Sequence, residues 1–422
     1  MANAFSKEEV VAFELMLEGF HDALVLSRNV SIYSTDQVMM ERTGDIIWRP
    51  QPYIARSFNG TDQTANFYDN TQLSVPATLG YQKSVPWTLT ATQLRDALQE
   101  QRLGESAKQK LASDINIAVM AVAATQGTLV VKRTAAATGF DDVAQCEAIM
   151  NEQGVDAFYR YLALSTRDYN GMASNLASRQ TMQGKPVTAY EKAYVGTVAS
   201  FDTFKLDYAT RLAAAAGGAG ITMSTLPAAA NYWTPLATRV ATTGERANID
   251  NRYQTITVSS TTNVAAGDCF TVAAVDAVHH ITKQDTGQLK TFRVISVDSA
   301  TTMTISPPMI TGQGGTSAEA QYQNCVVNTA AANSAIVFLN TVANYANPFW
   351  HKDAIELLPG RYAVPADAGV AVMRASTDQG IELVMQKFYD INTMVTKYRV
   401  DTLFGAVMKQ PEMAGITLFS QT

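Results

Sequence analysis

The sequence predicts an α+β fold, a mixed body that carries an inserted all-β domain, and three observations predict it. One helical pattern runs through residues 91–126, far beyond the usual three or four turns. Short alternating strand signals, punctuated by turn residues, fill 222–345. After Trp350 the pattern returns to long strands. At 422 residues, roughly two to four domains are expected.

The first element opens at Ser6 and Glu9, a capping box whose hydroxyl and carboxylate satisfy the orphan donors of a helix start. The helix is expected to run to about Ser27, with Phe13, Leu17, Phe20 and Leu24 as one apolar stripe. Glu14, Glu18 and Asp22 form an acidic stripe beside it. Like charges four apart cost a helix a few tenths of a kcal/mol per pair. The stripe is therefore either a solvated face or a docking face for a basic partner.

Residues 45–49 and 84–89 read as strands. Between Trp48 and Trp87 the chain is polar and aromatic, with no apolar run long enough for a core. Asn59-Gly60 predicts a hairpin turn at its tip, because both positions tolerate positive φ. So long a coreless segment is disordered, functional or laid on a neighbouring subunit.

Thr90 and Gln93 form a second capping box, and Gly127 is the expected stop of the helix that follows. Leu94, Leu98, Leu111, Ile115, Ala118, Val119 and Val122 supply its buried face. The rod should measure roughly 54 Å. Gly104 is a candidate bend, and the apolar stripe lapses between 103 and 111, which argues against a coiled coil. Residues 128–221 read as mixed α/β: a strand at 129–131, a helix at 141–153 closed by Gly154, a strand at 158–163, and a short helix opened by Thr188 and Glu191. The alanine and glycine run at 213–220 is a hinge and domain boundary.

Beyond it, strands are expected at 254–258, 269–273, 289–297 and 302–306, as in a small barrel or sandwich. Helical periodicity resumes near 333–339. The tail should hold strands at 354–358, 381–389, 393–400 and 403–409.

Composition narrows the function classes. Hydrophobic residues are 47%, enough for a packed core, whereas charged residues are only 17%, below the roughly 25% of ordinary soluble chains. Either the chain buries surface against other chains, or Ala, Thr and Asn dilute its charge. No run of 18 apolar residues occurs, so no membrane helix is expected, and the first residues lack the pattern of a secretory signal. Cys146, Cys269 and Cys325 are odd in number and far apart, which excludes a disulfide framework and a CxxC zinc pattern. A net charge of −6 without a basic run makes sequence-reading nucleic-acid binding an unsuitable role.

No phosphate loop, HExxH helix or GxSxG elbow is present. The glycines at 217–220 follow alanines rather than a strand, unlike a dinucleotide site. His279 and His280, as adjacent strand residues, would point to opposite faces and could not chelate. Asp141-Asp142 sits where helix caps belong. No catalytic, cofactor-binding or metal-ligating set is expected, and nothing argues for an enzyme.

The order of parts, with particular words along it, resembles the major capsid (coat) proteins of short-tailed Salmonella and Shigella phages, of the Hong Kong 97 type. The words are Gly44-Asp-Ile-Ile-Trp-Arg-Pro50, residues 112–131, 248–258 with Gly267-Asp268, 291–297, 302–308, 347–354, and 399–405 followed by Pro411-Glu412. The stretch 132–220 resembles the family only loosely. The resemblance implies an N-arm at 1–34, an extended loop and flanking strands at 35–90, and a spine helix at 91–127. It places the first part of an axial domain at 128–221, an inserted telokin-like β domain at 222–345, and further axial and peripheral parts at 346–422.

It also implies self-assembly with scaffolding protein into pentamers and hexamers of an icosahedral procapsid that matures on packaging double-stranded DNA. Partners would be the chain itself, the scaffolding and portal proteins, and DNA as cargo without sequence recognition, in a virion assembled in the host cytoplasm, with no membrane and no cofactor. Glu14, Glu18 and Asp22 would face scaffold, and Asn59-Gly60 would tip the extended loop. Arg239, Glu245, Arg246 and Asp250 would form an intercapsomer loop, with an ordinary solvated loop as the competing reading. The alternative function is an encapsulin-like or adhesin-like binding protein whose β insertion recognises a ligand.

Overall fold

A computed structural model of the chain describes residues 7–23, 26–33, 46–90, 92–93, 97–178, 195–217, 220–223, 232–312, 315–328, 333–362, 364, 369–377 and 379–422. Contacts divide it into two compact units, one of Met1–Ile47, Ala77–Met120 and Ile355–Val407, the other of Trp48–Pro76, Ala121–Ala354 and Met408–Thr422.

The first unit holds a helix at Lys7–Ala23, shorter than expected, followed by a single 3-10 turn at Ser27–Asn29. Phe13 is buried; Leu24 and the side chain of Phe20 lie outside the described residues. A six-stranded sheet runs in the order Ser31–Ile32, Ile355–Pro359, Val395–Met408, Glu382–Asp390, Ala371–Ser376, with Tyr81–Thr90 also paired to Val395–Met408. The two strands expected at 393–400 and 403–409 are one. Asp401 and Thr402 interrupt the apolar pattern, but Tyr81–Thr90 pairs residue by residue across that point and carries the ladder through it. Trp87 stacks on Tyr398 and Tyr81 on Phe404 as cross-strand pairs, at 5.7 and 5.1 Å.

The long helix spans Ala97–Gln126, roughly 45 Å, and runs unbroken through Gly104. Gln93 Oε1 accepts from the Thr90 N–H at 3.0 Å, half of the expected capping box. Leu111, Ile115, Ala118, Val119 and Val122 are buried as the spacing required; Leu94 and the side chain of Leu98 lie outside the described residues.

In the second unit a six-stranded sheet has the order Leu129–Lys132, Ala414–Leu418, Asn347–His351, Arg160–Ser165, Phe201–Leu206, Thr197–Val198. Helices Phe140–Gln153 and Thr166–Ala177 pack on it over Val143, Met150, Leu162, Met172, Phe201 and Phe349. Asp142 serves the helix start as expected, with Oδ2 accepting from Thr138 and Gly139 N–H and Oδ1 paired to Arg133 at 2.6 Å. Gly154 ends that helix in the left-handed conformation, φ 81°. The helix Thr166–Ala177 was not anticipated, although Ser165 and Asp168 cap it. The short helix expected at Thr188 lies outside the described residues.

The same unit contains a seven-stranded, barrel-like sheet in the order Thr222–Met223, Ser334–Phe338, Cys269–Val278, Asp285–Val297, Thr302–Ser306, Gln254–Thr257, with Cys325–Val327 beside Cys269–Val278. Phe270, Val272, Phe292, Val294, Met303, Ile305 and Ile336 fill it. The helical reading near 333–339 is wrong. Ser334 and Ile336 turn inward while Ala335 and Val337 face out, a period of two, and Ile336–Phe338 pair with Cys269–Val278.

Candidate assembly surfaces

The segment expected as an intercapsomer loop is a protruding hairpin. Thr238–Val240 pairs antiparallel with Arg246–Asn248, and Ala241–Glu245 closes the turn with Gly244 left-handed at φ 88°. Two clamps fix its base. Asn251 Oδ1 accepts from the Trp233 indole (3.3 Å) and Leu236 N–H (3.2 Å), while its Nδ2 donates to Leu236 O at 2.8 Å. Arg252 grips Asp250 with Nη2 at 2.6 Å and donates Nη1 to Met408 O at 2.7 Å. Asp250 is thus occupied within its own chain.

Beyond the clamps every residue from 238 to 248 is exposed, and Arg239, Glu245 and Arg246 make no ion pair among the described residues. A two-stranded ribbon without a buried face is marginal in water. This one is oriented by its base and offers both signs of charge.

The extended loop keeps a paired root, Ile46–Pro50 against Ser74–Thr78, but is irregular between. The turn at 59–60 is not the expected two-residue hairpin: Gly60 alone has positive φ, 100°, and no ladder reaches it. Lacking alternating apolar residues, the segment is held by its own side chains. The Arg56 guanidinium lies 5.0 Å from both the Phe58 and Tyr68 rings, and Gln63 Nε2 donates to Gly60 O at 2.5 Å. Leu73 packs with Ile310 and Tyr322, and the Tyr322 hydroxyl donates to Thr71 O at 2.8 Å. Phe67, 88% exposed, stands out from the loop.

On the arm helix Glu14 is exposed with Val10 and Val11, whereas the side chains of Glu18 and Asp22 lie outside the described residues. Glu9 is buried; its Oε1 pairs with Lys387 Nζ at 2.5 Å and accepts from the Tyr398 hydroxyl at 2.9 Å. Ser6, its expected capping partner, lies outside the described residues.

Sequence reasoning missed a buried polar junction between the barrel-like sheet and the body. Lys290 is ion-paired with Glu412, and Asn324 Nδ2 donates to the same carboxylate at 3.1 Å. Burial pushes the Glu412 carboxyl upward, but Lys290 foremost outweighs it and leaves it below the ordinary carboxylate range. Burial drives His280 down to about 4 despite Glu412, so this imidazole is neutral at pH 7 and its 3.4 Å approach to the carboxylate is no ion pair. Nearby, Arg293 Nη1 donates to Gly127 O at 3.1 Å, and Thr291 Oγ1 to Thr128 O at 2.8 Å. The long helix has no basic residue in its last turn. A cation from a strand far along the sequence therefore supplies its C-terminal charge.

The histidine pair does not sit within a strand but in the turn after Cys269–Val278. His279 Nδ1 accepts from Ile281 and Thr282 N–H, capping that turn. The three cysteines are free and buried, which pushes Cys146 and Cys325 up to about 12. No helix among the described residues is long and apolar enough to cross a membrane.

The family model described as "P22 coat protein - gene protein 5" matches residues 1–420. The chain is similar to a solved structure from Mycobacterium phage Che8, at 8% identity and TM-score 0.47, over 94% of this chain and 92% of that one. It is similar to the CUS-3 coat protein I-domain at 36% identity and TM-score 0.22, over 29% of this chain and 98% of that one. A virus-like particle from Pyrococcus furiosus matches at 9% identity and TM-score 0.36, over 96% of this chain and 99% of that one. With its family model matched almost end to end, the chain belongs to the P22 coat protein family: it has the α+β, Hong Kong 97-type capsid fold and is a structural major capsid protein of a phage virion, which associates with copies of itself in the capsid lattice.

Proposed function

We propose that this coat subunit, which has no catalytic role, assembles with a scaffolding protein into pentamers and hexamers of an icosahedral procapsid. The procapsid forms in the host cytoplasm, incorporates a portal protein and matures on packaging double-stranded DNA. The observation that carries the reading is the 238–248 hairpin, fully exposed, clamped at its base and left with Arg239, Glu245 and Arg246 unpaired among the described residues. Across a two-fold axis between capsomers the surface meets itself, so Glu245 of one copy faces a basic residue of its mate and the reverse. One exposed pair contributes only about 0–1 kcal/mol. Repetition at every two-fold makes it count for the particle while the subunit fold is indifferent to it.

The arm, with Glu14 on its open face, is the scaffold-facing element, and the loop tipped by Asn59 and Gly60 lies over a neighbouring copy. The net charge of −6 suits a container that must not adhere to its DNA, since non-specific binding rests on Lys and Arg contacts to phosphate. The test is Glu245→Ala with Arg246→Ala. Soluble, folded coat that forms unstable or aberrant precursor shells supports the reading. Shells of normal size, yield and heat resistance reduce the hairpin to ordinary surface.

A further inference from the structure

A second exposed feature belongs to the body and plays no part in the surfaces above. Helix Phe140–Gln153 ends at Gly154, and strand Arg160–Ser165 begins six residues later. Between them Phe158 and Tyr159, adjacent aromatics, are 71% and 65% exposed. Tyr159 has φ 57°, the left-handed region that a bulky side chain rarely adopts, and it is the one aromatic with positive φ among the described residues. Such outliers persist only where the surroundings over-determine them.

Here they do. Arg160 is buried and donates Nε to Asp156 O (2.7 Å), and Nη2 to Asn151 Oδ1 (2.7 Å) and Val155 O (2.6 Å), binding the turn on three sides. The Lys352 N–H donates to Tyr159 O at 3.0 Å, and Lys352 Nζ lies 5.7 Å from the Tyr159 ring. A buried arginine and a strained residue thus hold two large apolar rings out in water, where rings contribute nothing to the subunit's own core.

We infer that the Phe158–Tyr159 knuckle is a rigid anchor that inserts into a second copy of this chain in the shell. The occupant follows from two facts. The chain associates with itself in a lattice, so copies are its standing partners. The flanking charges, exposed Asp156 and Asp353 with Lys352, are mixed and lean acidic, which disfavours nucleic acid. Aromatics held in one geometry lose little freedom on docking, and a few such residues carry most of an interface. The inference rests on the chain building shells, so the wild type is the first arm of its test: absence of wild-type shells faults that reading, not the anchor.

Full-length Phe158→Ser and Tyr159→Gly subunits are compared with wild type, alongside a chain with a photo-crosslinking phenylalanine at 158. Both variants should fold, with the melting temperature unchanged for Phe158→Ser and raised for Tyr159→Gly, where glycine accepts the backbone that tyrosine resists. Shell assembly followed by light scattering should slow by about tenfold or more in each, the scale of a lost aromatic anchor. The crosslinker should join coat to coat in shells only. Wild-type assembly rates for either folded variant, or crosslinks to scaffolding protein, would overturn the inference. Should Tyr159→Gly not fold, Phe158→Ser and the crosslink decide.

Discussion

Lys290→Met is the most informative perturbation of the subunit's interior. Lys290 is 3% exposed and is ion-paired with Glu412, whose carboxylate otherwise has Asn324, the neutral His280 and the charge of Lys283 around it. Removing the ammonium strands a buried charge, which costs about 3–5 kcal/mol. That is a large share of the ~5–15 kcal/mol that holds a typical protein folded. Replacing both partners, Lys290→Met with Glu412→Gln, removes the stranded charge and keeps an acceptor for Asn324. Most of the loss should return, with a coupling energy of about 2 kcal/mol or more. Urea unfolding of the unassembled subunit reads both. If the two substitutions add without coupling, the pair does not act as a buried unit and the reasoning fails.

Acid should act on the same junction. The folded pKa of His280, about 4, lies below its ordinary 6.5, so the unfolded chain binds the proton more readily, and stability falls as pH drops from about 6.5 through about 4. The depressed Glu412 adds a loss that begins below its ordinary 4.5. His280→Gln should remove the upper part of this decline in a melting-temperature series against pH; an unchanged profile contradicts it. Arg293→Met should cost about 2–3 kcal/mol by removing the buried charge at the end of the long helix, with faster hydrogen exchange over 121–127 as its local signature. Gly415→Ala should abolish soluble expression, because any Cβ there overlaps the Leu129 carbonyl and the Phe349 ring. Residues 222–345 expressed alone should give a dispersed, β-rich amide spectrum, and a featureless one contradicts the expectation that they fold as a separate domain. Changing Glu14, Glu18 and Asp22 to Gln should weaken scaffold binding most at low salt; equal binding across a salt series contradicts the role proposed for the arm.

Local signals were legible where the chain's own chemistry fixes the structure. Gly127 and Gly154 stop their helices where expected, Asp142 caps, and the strands at 254, 269 and 302 start at the anticipated residues. Misreadings arose where distant partners decide. The strand Ser334–Phe338 owes its state to pairing with Cys269–Val278, and Val395–Met408 stays whole because Tyr81–Thr90 supports it across Asp401. The helix Thr166–Ala177 was announced by Ser165 and Asp168 and overlooked. Of the assembly surfaces, the charged hairpin was visible as a run of turn and charged residues, but the occupation of Asp250 by Arg252 was not. The Lys290–Glu412 junction joins residues 122 apart, and no periodicity carries such a contact. The knuckle at Tyr159 needed a backbone angle.

Electron cryo-microscopy of particles formed when the chain is expressed with the scaffolding protein proposed as its partner decides whether the subunit builds such a shell. Closed icosahedral shells of pentamers and hexamers are expected, with the 238–248 hairpins of neighbouring capsomers meeting across local two-folds. A chain that remains a stable monomer, or shells whose hairpins touch no neighbour, would contradict this expectation.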